Sequence, residues 1–258
     1  AVAWGAGLFN CRTVVVMPRG TAPDRISPIR GAGGEVLLVS GTYEDAVALA
    51  QARADQEGWL VVSDTAYEGY QEIPRSIMQG YTVMVREALT QLPEGRPPTH
   101  VFVQAGVGGL AGAVAGFLWE RLGPTRPKLV VVEPAEADCL LETALRDGPH
   151  PSLGSIDSTM SCLACRVPST LAWPILRGGA DAFLTIPDAG AEETVDYLAQ
   201  GKEGNQPVLT QPSGAAGVAG LITAAYEPTL SEPLDLGENS VVLVFGSEGP
   251  PHRRPENG

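Results

Sequence analysis

The stretch of sequence that most constrains the fold is Thr99–Pro134, THVFVQAGVGGLAGAVAGFLWERLGPTRPKLVVVEP. It reads as a buried strand, a glycine turn, an apolar helix over residues 109–122 and a second buried strand that ends on an acid. A glycine turn between a strand and a helix presents free backbone N–H groups beside the positive end of the helix dipole. The stretch therefore predicts an anion cradle, most often one for phosphate, which suits a dinucleotide, a flavin or pyridoxal phosphate.

The other predicted strands are also continuous apolar runs rather than alternating ones, which favours parallel sheets covered on both faces. Strands are expected at Val14–Met17, Val36–Val39, Leu60–Val62, residues 101–104, residues 129–132 and Val241–Phe245, with another apolar stretch at Ala182–Ile186. Repeated βα units of this kind predict an α/β fold of three layers, parallel sheets with helices on both faces. A boundary near residue 70 would separate a smaller α/β domain, 1–70, from a larger cofactor-binding domain, 71–258.

Charge and composition exclude several classes of partner. The formal net charge is 17 − 30 = −13, which argues against nucleic acid and anionic membrane surfaces because binding a polyanion needs a local excess of Lys and Arg. No apolar run approaches the roughly 20 residues of a membrane span. The four cysteines do not form the framework of a secreted protein and no signal peptide is visible, so a cytoplasmic protein is expected. The chain opens in helical pattern without Met, which predicts that an upstream part is missing.

The glycine loop itself leaves two interpretations open. Gly106-x-Gly108-x-x-Ala111 matches the dinucleotide fingerprint, and Glu133 lies 133 − 106 = 27 positions after the first glycine, where an acid could bind a ribose. A plain tight turn with close strand–helix packing is the alternative. The position of the loop in mid-chain, after three earlier strands, and the spacing longer than about 20 residues both go against NAD.

The residues around the loop resemble a known family. QAGVGGLAGAVAGF followed by VVVEPAEADCLLETA resembles the cofactor-phosphate loop and next strand of the fold-type II pyridoxal-phosphate enzymes, whose fold is that of the tryptophan synthase β chain. The runs VVSDTAYEGYQEIPRSIMQGY, STMSCLACRVPSTLAWPILRGGADAF, QPSGAAGVAG and VVLVFGSEG narrow the resemblance to the diaminopropionate ammonia-lyases. It covers nearly the whole chain, in order.

The resemblance implies a lyase of amino-acid catabolism that eliminates ammonia from 2,3-diaminopropionate and gives pyruvate and ammonia. It implies pyridoxal 5′-phosphate as the electron sink, a small amino-acid substrate and a cytoplasmic homodimer. Another fold-type II lyase, such as a threonine or serine dehydratase, is the second hypothesis. The third is a non-catalytic remnant that binds a phosphate ligand or a partner subunit, and an NAD-binding domain is the fourth.

Site residues follow from the same resemblance. Asp64, after the predicted strand in VVSDTAYEGY, would be the base that removes the α-proton, with an ordinary Asx turn as the alternative. Ser247, in GSEG, would place a hydroxyl against the pyridine nitrogen and leave the ring less protonated, with a turn serine as the alternative. Backbone N–H groups of four consecutive residues would hold the phosphate: Gly106, Val107, Gly108 and Gly109.

The sequence departs from the family pattern in one large respect. The Schiff-base lysine of the family, and the Asp-Gly-Asn-His-Gly run that supplies substrate contacts and a second base, both precede the point where this chain starts. Its only lysines, Lys128 and Lys202, are not at the family position. A chain beginning at Ala1 is therefore expected to be inactive or nearly so by itself.

Smaller departures lie near the predicted site. Arg166 stands where the family has glycine, and Pro212 stands where it has a glutamate, which weakens the expected recognition of the substrate amine. Cys162-x-x-Cys165 has no second pair or nearby His, so buried packing is a better interpretation than a metal site. Cys139 and Cys165 are a possible bridge.

Overall fold

The computed structural model describes residues 1–41, 43–146, 148–201 and 206–250, the side chains of Asp24, Tyr43 and Glu44 excepted. These residues divide between two compact units, 1–63 and 64–250. No described helix is both long enough and apolar enough to cross a membrane.

The smaller unit is a short βα arrangement. Its elements are α1 (Val2–Leu8), β1 (Val14–Pro18), α2 (Pro23–Gly31), β2 (Glu35–Val39) and α3 (Tyr43–Glu57). The two strands pair in parallel, as predicted, with Val14 opposite Glu35 and Pro18 opposite Val39. Thr42, which the sequence suggests as the N-cap of α3, lies outside the described residues.

The strand predicted at Leu60–Val62 is wrong. The two-stranded sheet consists of β1 and β2, and residues 60–62 have no regular structure. Leu60 is 77% exposed and Val62 is 40% exposed. An apolar run forms a strand only where it finds a neighbouring strand, and in the described part of this unit only β1 and β2 pair.

The larger unit holds a four-stranded parallel sheet in the order β5-β4-β3-β6. Its elements are α4 (Glu72–Thr90), β3 (His100–Gln104), α5 (Gly109–Leu122), β4 (Lys128–Pro134), α6 (Cys139–Arg146), α7 (Ala172–Gly179), β5 (Ala182–Ile186), α8 (Asp188–Gln200), α9 (Pro212–Tyr226), α10 (Pro228–Leu234) and β6 (Val242–Val244). The chain turns once in 3₁₀ form, Gly123–Thr125, between α5 and β4.

The two central strands, β3 and β4, bury both of their faces. Val101 and Val131 belong to a core that includes residues of α4, α5, α6 and α7. Phe102 and Val130 belong to a second core, with residues of α8, α9 and α10. Burial on both faces explains why these strands are apolar throughout, because neither face meets water. The predicted α/β fold, parallel sheets with helices on both faces, is confirmed.

The start of α6 and the presence of α10 differ from the expectation, because the sequence pattern predicts a helix over Ala135–Arg146 and none at 228–234. Helix α6 begins at Cys139 rather than at Ala135, because a turn closes first, with the Ala137 N–H donating to the carbonyl of Pro134. Helix α10 is absent from the sequence-based expectation. Glu227 caps it by accepting the Thr229 N–H, and a proline occupies its first turn, where no backbone donor is needed.

Candidate functional site

The loop between β3 and α5 is the centre of the candidate site. Gly108 has φ +95°, a conformation that side chains disfavour, and α5 begins at the next residue. A Cβ atom added to Gly108 would lie 3.0 Å from Leu176 Cδ1 and 3.2 Å from Ala172 Cβ. The loop therefore accommodates no side chain at this position, and its backbone is available for a close approach.

The segment that precedes α7 packs directly on this loop. A Cβ atom on Gly106 would lie 2.8 Å from Cys165 Sγ and 3.2 Å from Leu163 Cα. The Ser169 N–H donates to the carbonyl of Val107 at 2.9 Å. The Ser169 hydroxyl is buried and has no hydrogen-bond partner among the described residues. A glycine cradle with an unpartnered buried hydroxyl on its supporting segment fits a phosphate-bearing ligand.

The four predicted phosphate donors do not all have the same surroundings. The Gly112 N–H donates to Gly108 O at 2.7 Å, so the N–H groups before it lie at the open end of α5. Burial raises the pKa of the Cys165 thiol to about 11, and the backbone of Val107 opposes that rise. All four residues stay the predicted cradle, with Gly108 and Gly109 at the start of α5.

Asp64 lies beside this loop. Its backbone carbonyl would be 3.9 Å from a Cβ atom on Gly109. The pKa of Tyr81, which also lies in the larger unit, is raised first by burial and then by the negative charge of Asp64. Asp64 itself is exposed, and the Thr65 hydroxyl lies 3.5 Å from its Oδ1. An exposed carboxylate at the rim of the cradle can accept a proton from a bound ligand.

The residues after Asp64 form a defined turn. Tyr67 and Tyr70 exchange backbone hydrogen bonds, and their rings stack with centroids 5.0 Å apart. The Thr170 N–H donates to the carbonyl of Ala66 at 3.2 Å. The segment before α7 therefore holds the loop of Asp64 on one side and the glycine loop on the other.

Ser247 follows β6 and reaches the same edge of the sheet through Gln104. Gln104 is the last residue of β3 and is 1% exposed. Its Nε2 donates to the carbonyl of Phe245 at 2.8 Å and to Ser247 Oγ at 2.5 Å. Sequence reasoning missed Gln104, although a polar residue that ends the buried run VFVQ was a signal.

Glu133 does not lie in the place of a ribose-binding acid. It is fully buried, and its two carboxylate oxygens accept the N–H groups of Leu140 and Leu141, each at 2.8 Å. Burial raises its pKa to about 8, and these two hydrogen bonds oppose the rise. Because both carboxylate oxygens accept hydrogen bonds at the start of α6, Glu133 is not available to bind a ribose. The dinucleotide interpretation therefore has no acid at this position.

The cysteines are free thiols in the structure. Cys139 is buried with its Sγ 3.6 Å from the carbonyl of Gly106, and Cys165 packs on the other side of that glycine. Cys162 is exposed, 3.3 Å from Glu248 Oε1, so the prediction of buried packing is wrong for it. The described residues contain no group of three or more His, Cys, Asp or Glu side chains that could hold a metal ion.

The fold accommodates both residues that depart from the family pattern, Arg166 and Pro212, by local contacts. Arg166 is exposed and donates from Nη1 to the carbonyl of Ser152 at 3.2 Å. Pro212 opens α9, where its missing N–H leaves no bond unmade. The fold therefore tolerates both changes at these positions.

A parallel sheet with a glycine loop and a helix start at its carboxyl edge, and with a carboxylate and a hydroxyl beside them, defines a class of α/β protein that binds a phosphate-bearing ring cofactor. Residues 1–246 match the family described as pyridoxal-phosphate dependent enzymes, and the chain belongs to that family. The cofactor of the family is pyridoxal phosphate, which the glycine cradle and the Ser247 hydroxyl fit.

The similar proteins include several ammonia-lyases. The chain is 39% identical over 253 residues to the diaminopropionate ammonia-lyase of Escherichia coli K12, covering 96% of this chain and 63% of that protein. The structure superposes on the crystal structure of the holo diaminopropionate ammonia lyase from Escherichia coli with a TM-score of 0.88 and 37% identity, over 96% of this chain and 63% of the other. That lyase has also been crystallised in complex with an aminoacrylate–pyridoxal phosphate azomethine reaction intermediate, and there the TM-score is 0.88 at 36% identity, over 96% and 64% of the two chains.

More distant proteins share the fold. The processed form of threonine deaminase isoform 2 from Solanum lycopersicum superposes with a TM-score of 0.78 at 20% identity, over 96% of this chain and 62% of the other, and this likeness concerns the fold alone. The chain spans about 63% of the length of the ammonia-lyases that it matches in sequence.

Proposed function

We propose that this chain serves the elimination of ammonia from 2,3-diaminopropionate with pyridoxal phosphate as the cofactor. With one water, the substrate yields pyruvate and two ammonia molecules: the α C–H bond and the β C–N bond break, and hydrolysis releases the second amino group. The observation that carries the proposal is that Asp64 and the glycine loop of Gly106–Gly109 lie side by side. The identity to ammonia-lyases, 39% over 96% of this chain, supports the choice of substrate.

Each site residue has one task in this proposal. The backbone N–H groups of the loop bind the phosphate at the start of α5, where the helix dipole favours an anion: those of Gly106, Val107, Gly108 and Gly109. Ser247 places its hydroxyl at the ring nitrogen. Asp64 accepts the proton from the α-carbon, which its exposure at the rim of the cradle permits. Bound pyridoxal phosphate supplies the electron sink.

Lys128 has no part in this site. It begins β4, and its ammonium donates to the carbonyl of Leu234 at 2.6 Å. The glycine loop follows the last residue of β3, so Lys128 lies at the opposite end of the sheet. Lys202 lies outside the described residues.

The assembly and compartment of the protein also belong to the proposal. We propose a cytoplasmic homodimer that acts in amino-acid catabolism. The net charge of −13 supports only the part of this proposal that excludes nucleic acid and anionic membranes as partners. The division into a smaller domain, 1–70, and a larger cofactor-binding domain, 71–258, is proposed on the same footing.

The test is the release of pyruvate from 2,3-diaminopropionate by the full natural protein loaded with pyridoxal phosphate. Replacement Asp64→Asn should lower kcat by at least about 100-fold, because general-base catalysis is worth that much or more. Asp196→Asn, on the exposed face of α8, is the matched control and should leave kcat unchanged. Faster release of pyruvate from serine would favour the dehydratase hypothesis instead. Cofactor binding with no turnover of either substrate would favour a non-catalytic protein.

A further inference from the structure

The hydrogen bonds of Gln104 fix which way its amide group points. Phe245 offers a backbone carbonyl, which can only accept, so the Gln104 atom 2.8 Å from it is the nitrogen. The other amide hydrogen is directed to Ser247 Oγ, 2.5 Å from the same nitrogen. The amide oxygen of Gln104 is buried and has no partner in the part of the chain that the structure describes. The side chain is thus held by its donor end.

This orientation decides the role of the Ser247 hydroxyl. An amide nitrogen cannot accept a hydrogen bond, so Ser247 Oγ accepts from Gln104. The single hydroxyl proton of Ser247 is then left for a different acceptor, and the hydrogen bond already received makes it a stronger donor. The unprotonated nitrogen of a pyridine ring is such an acceptor. A protonated ring would instead bring positive charge towards the positive end of the amide dipole.

We propose that Gln104 is a positioning residue that makes Ser247 a hydrogen-bond donor to an unprotonated ring nitrogen of the cofactor. This rests on the proposed placement of Ser247 at the ring. Gln104 lies in β3, between β4 and β6, and is itself 1% exposed, so its amide can fix the hydroxyl with little motion of its own. Close packing also limits its movement, since a Cβ atom on Gly217 would lie 3.1 Å from its Oε1.

The experiment compares two ligands that need no lysine: pyridoxamine 5′-phosphate and its analogue with C–H in place of the ring nitrogen. Their ratio of dissociation constants, measured by calorimetry, isolates the contact to the ring nitrogen because every other contact is shared. The wild-type chain should bind the nitrogen ligand about 10-fold more tightly, the equivalent of one hydrogen bond. Ser247→Ala should bring the ratio close to 1.

Gln104→Glu is the decisive variant because it keeps the size of the side chain. At this buried position the carboxyl group is neutral. Its one O–H group donates a hydrogen bond to the Phe245 carbonyl. The same oxygen, which takes the place of Nε2, has no second proton to donate, so it accepts from Ser247 and turns the hydroxyl away from the ring, and the ratio should fall to about 1. If Gln104→Glu does not fold, Gln104→Met takes its place in the experiment. The Met side chain has no hydrogen-bond donor, so this variant should give the same fall in the ratio of dissociation constants.

The outcomes separate the two proposals. A wild-type ratio near 1 would mean that Ser247 does not reach the ring nitrogen, which overturns both the placement of Ser247 and the role of Gln104. A ratio lost in Ser247→Ala but retained in the folded Gln104 variants leaves the placement of Ser247 intact and overturns the role of Gln104. Loss in both, without a further loss in the double variant, supports the proposal.

Discussion

The two ends of the four-stranded sheet use their polar side chains differently. At the amino end, His100 Nε2 lies 2.9 Å from the carbonyl of Leu234, which also accepts from Lys128. Arg126 pairs with Asp181 through two bonds of 2.6 and 3.3 Å, although its buried Nε has no partner within the described ranges. Nearly all the hydrogen-bonding capacity at this end is used to join β4, β5 and α10.

At the carboxyl end of the sheet, part of the hydrogen-bonding capacity is unused among the described residues. The oxygens of Gln104 and Ser169 are buried without partners among the described residues, and the glycine loop opens α5 there. Because native proteins satisfy most buried polar groups, the unpartnered Ser169 hydroxyl beside the glycine loop indicates where a ligand binds. The difference teaches that the glycine loop and helix start, with an unpartnered hydroxyl beside them, locate the site in this sheet better than charge or concavity does.

A cavity at the amino end shows why concavity misleads here. Its volume is about 300 Å³, and residues of β4, β5, α9 and α10 line it. Its charged lining residues are Lys128 and Asp181, which are already engaged with Leu234 and Arg126. The glycine loop, with no charged residue of its own, is the better candidate.

The largest effect is expected from Gly108→Asp. The new side chain would meet Leu176, strain a backbone at φ +95° and bring a carboxylate to the phosphate position. The affinity for pyridoxamine 5′-phosphate should fall at least about 100-fold, measured by calorimetry on protein whose folding is verified by circular dichroism. Gly123→Asp, at the far end of α5, is the control, since its φ of +54° imposes similar strain and no atom lies within 4 Å. A folded Gly108→Asp chain that binds normally would place the phosphate elsewhere.

Asp181→Ala tests the structural role of the amino end. The change leaves the largely buried guanidinium of Arg126 without its carboxylate partner and removes the acceptor of the Leu129 N–H, which is 2.7 Å from Asp181 Oδ2. The free energy of unfolding in urea should fall by about 2 kcal/mol, with the affinity for pyridoxamine 5′-phosphate unchanged. Asp196→Ala, which is exposed on α8, should change the stability by less than about 0.5 kcal/mol. A loss of affinity in Asp181→Ala would show that the two ends are coupled.

Glu133 extends the comparison of the two ends of the sheet. It is an acid at the carboxyl end, and both of its carboxylate oxygens already accept hydrogen bonds. Its pKa is about 8 in the folded chain, above the ordinary value of 4.5, so the folded state holds a proton that the unfolded state releases. Its contribution to stability is complete below pH 4.5 and is lost as the pH rises through 8. The free energy of unfolding should therefore fall by up to about 1.4 kcal/mol per pH unit within that window. Glu133→Gln should flatten this slope, and equal slopes in both proteins would contradict the assignment.

The sequence predicted the centre of the larger unit well. The strand expected at 101–104 runs from His100 to Gln104, and the helix expected at 109–122 has those limits. Doubly buried strands are apolar throughout, and the glycines between them mark the turn, so the local pattern carries the information. The fold of this region could therefore be derived from its residues alone.

The parts that sequence could not supply depend on distant contacts. Gln104 acquires its role from Phe245 and Ser247, which lie 141 and 143 positions away along the chain. Ser169 likewise matters because its N–H reaches Val107. Glu133 has a position suited to a ribose ligand, but the start of α6 folds back on it and takes both of its oxygens. Residue types at fixed spacings do not reveal such partners.

Lys128→Met gives the smallest expected effect and the sharpest test of the division between the two ends. The change removes one donor to the carbonyl of Leu234, which keeps His100 as a partner, so the free energy of unfolding should fall by only about 1 kcal/mol. Because Lys128 begins β4 at the end of the sheet remote from Gly108, the affinities for pyridoxal and pyridoxamine 5′-phosphate should both be unchanged. If pyridoxal phosphate alone bound more weakly, its aldehyde would be reacting with Lys128, and the amino end would then be a ligand site as well.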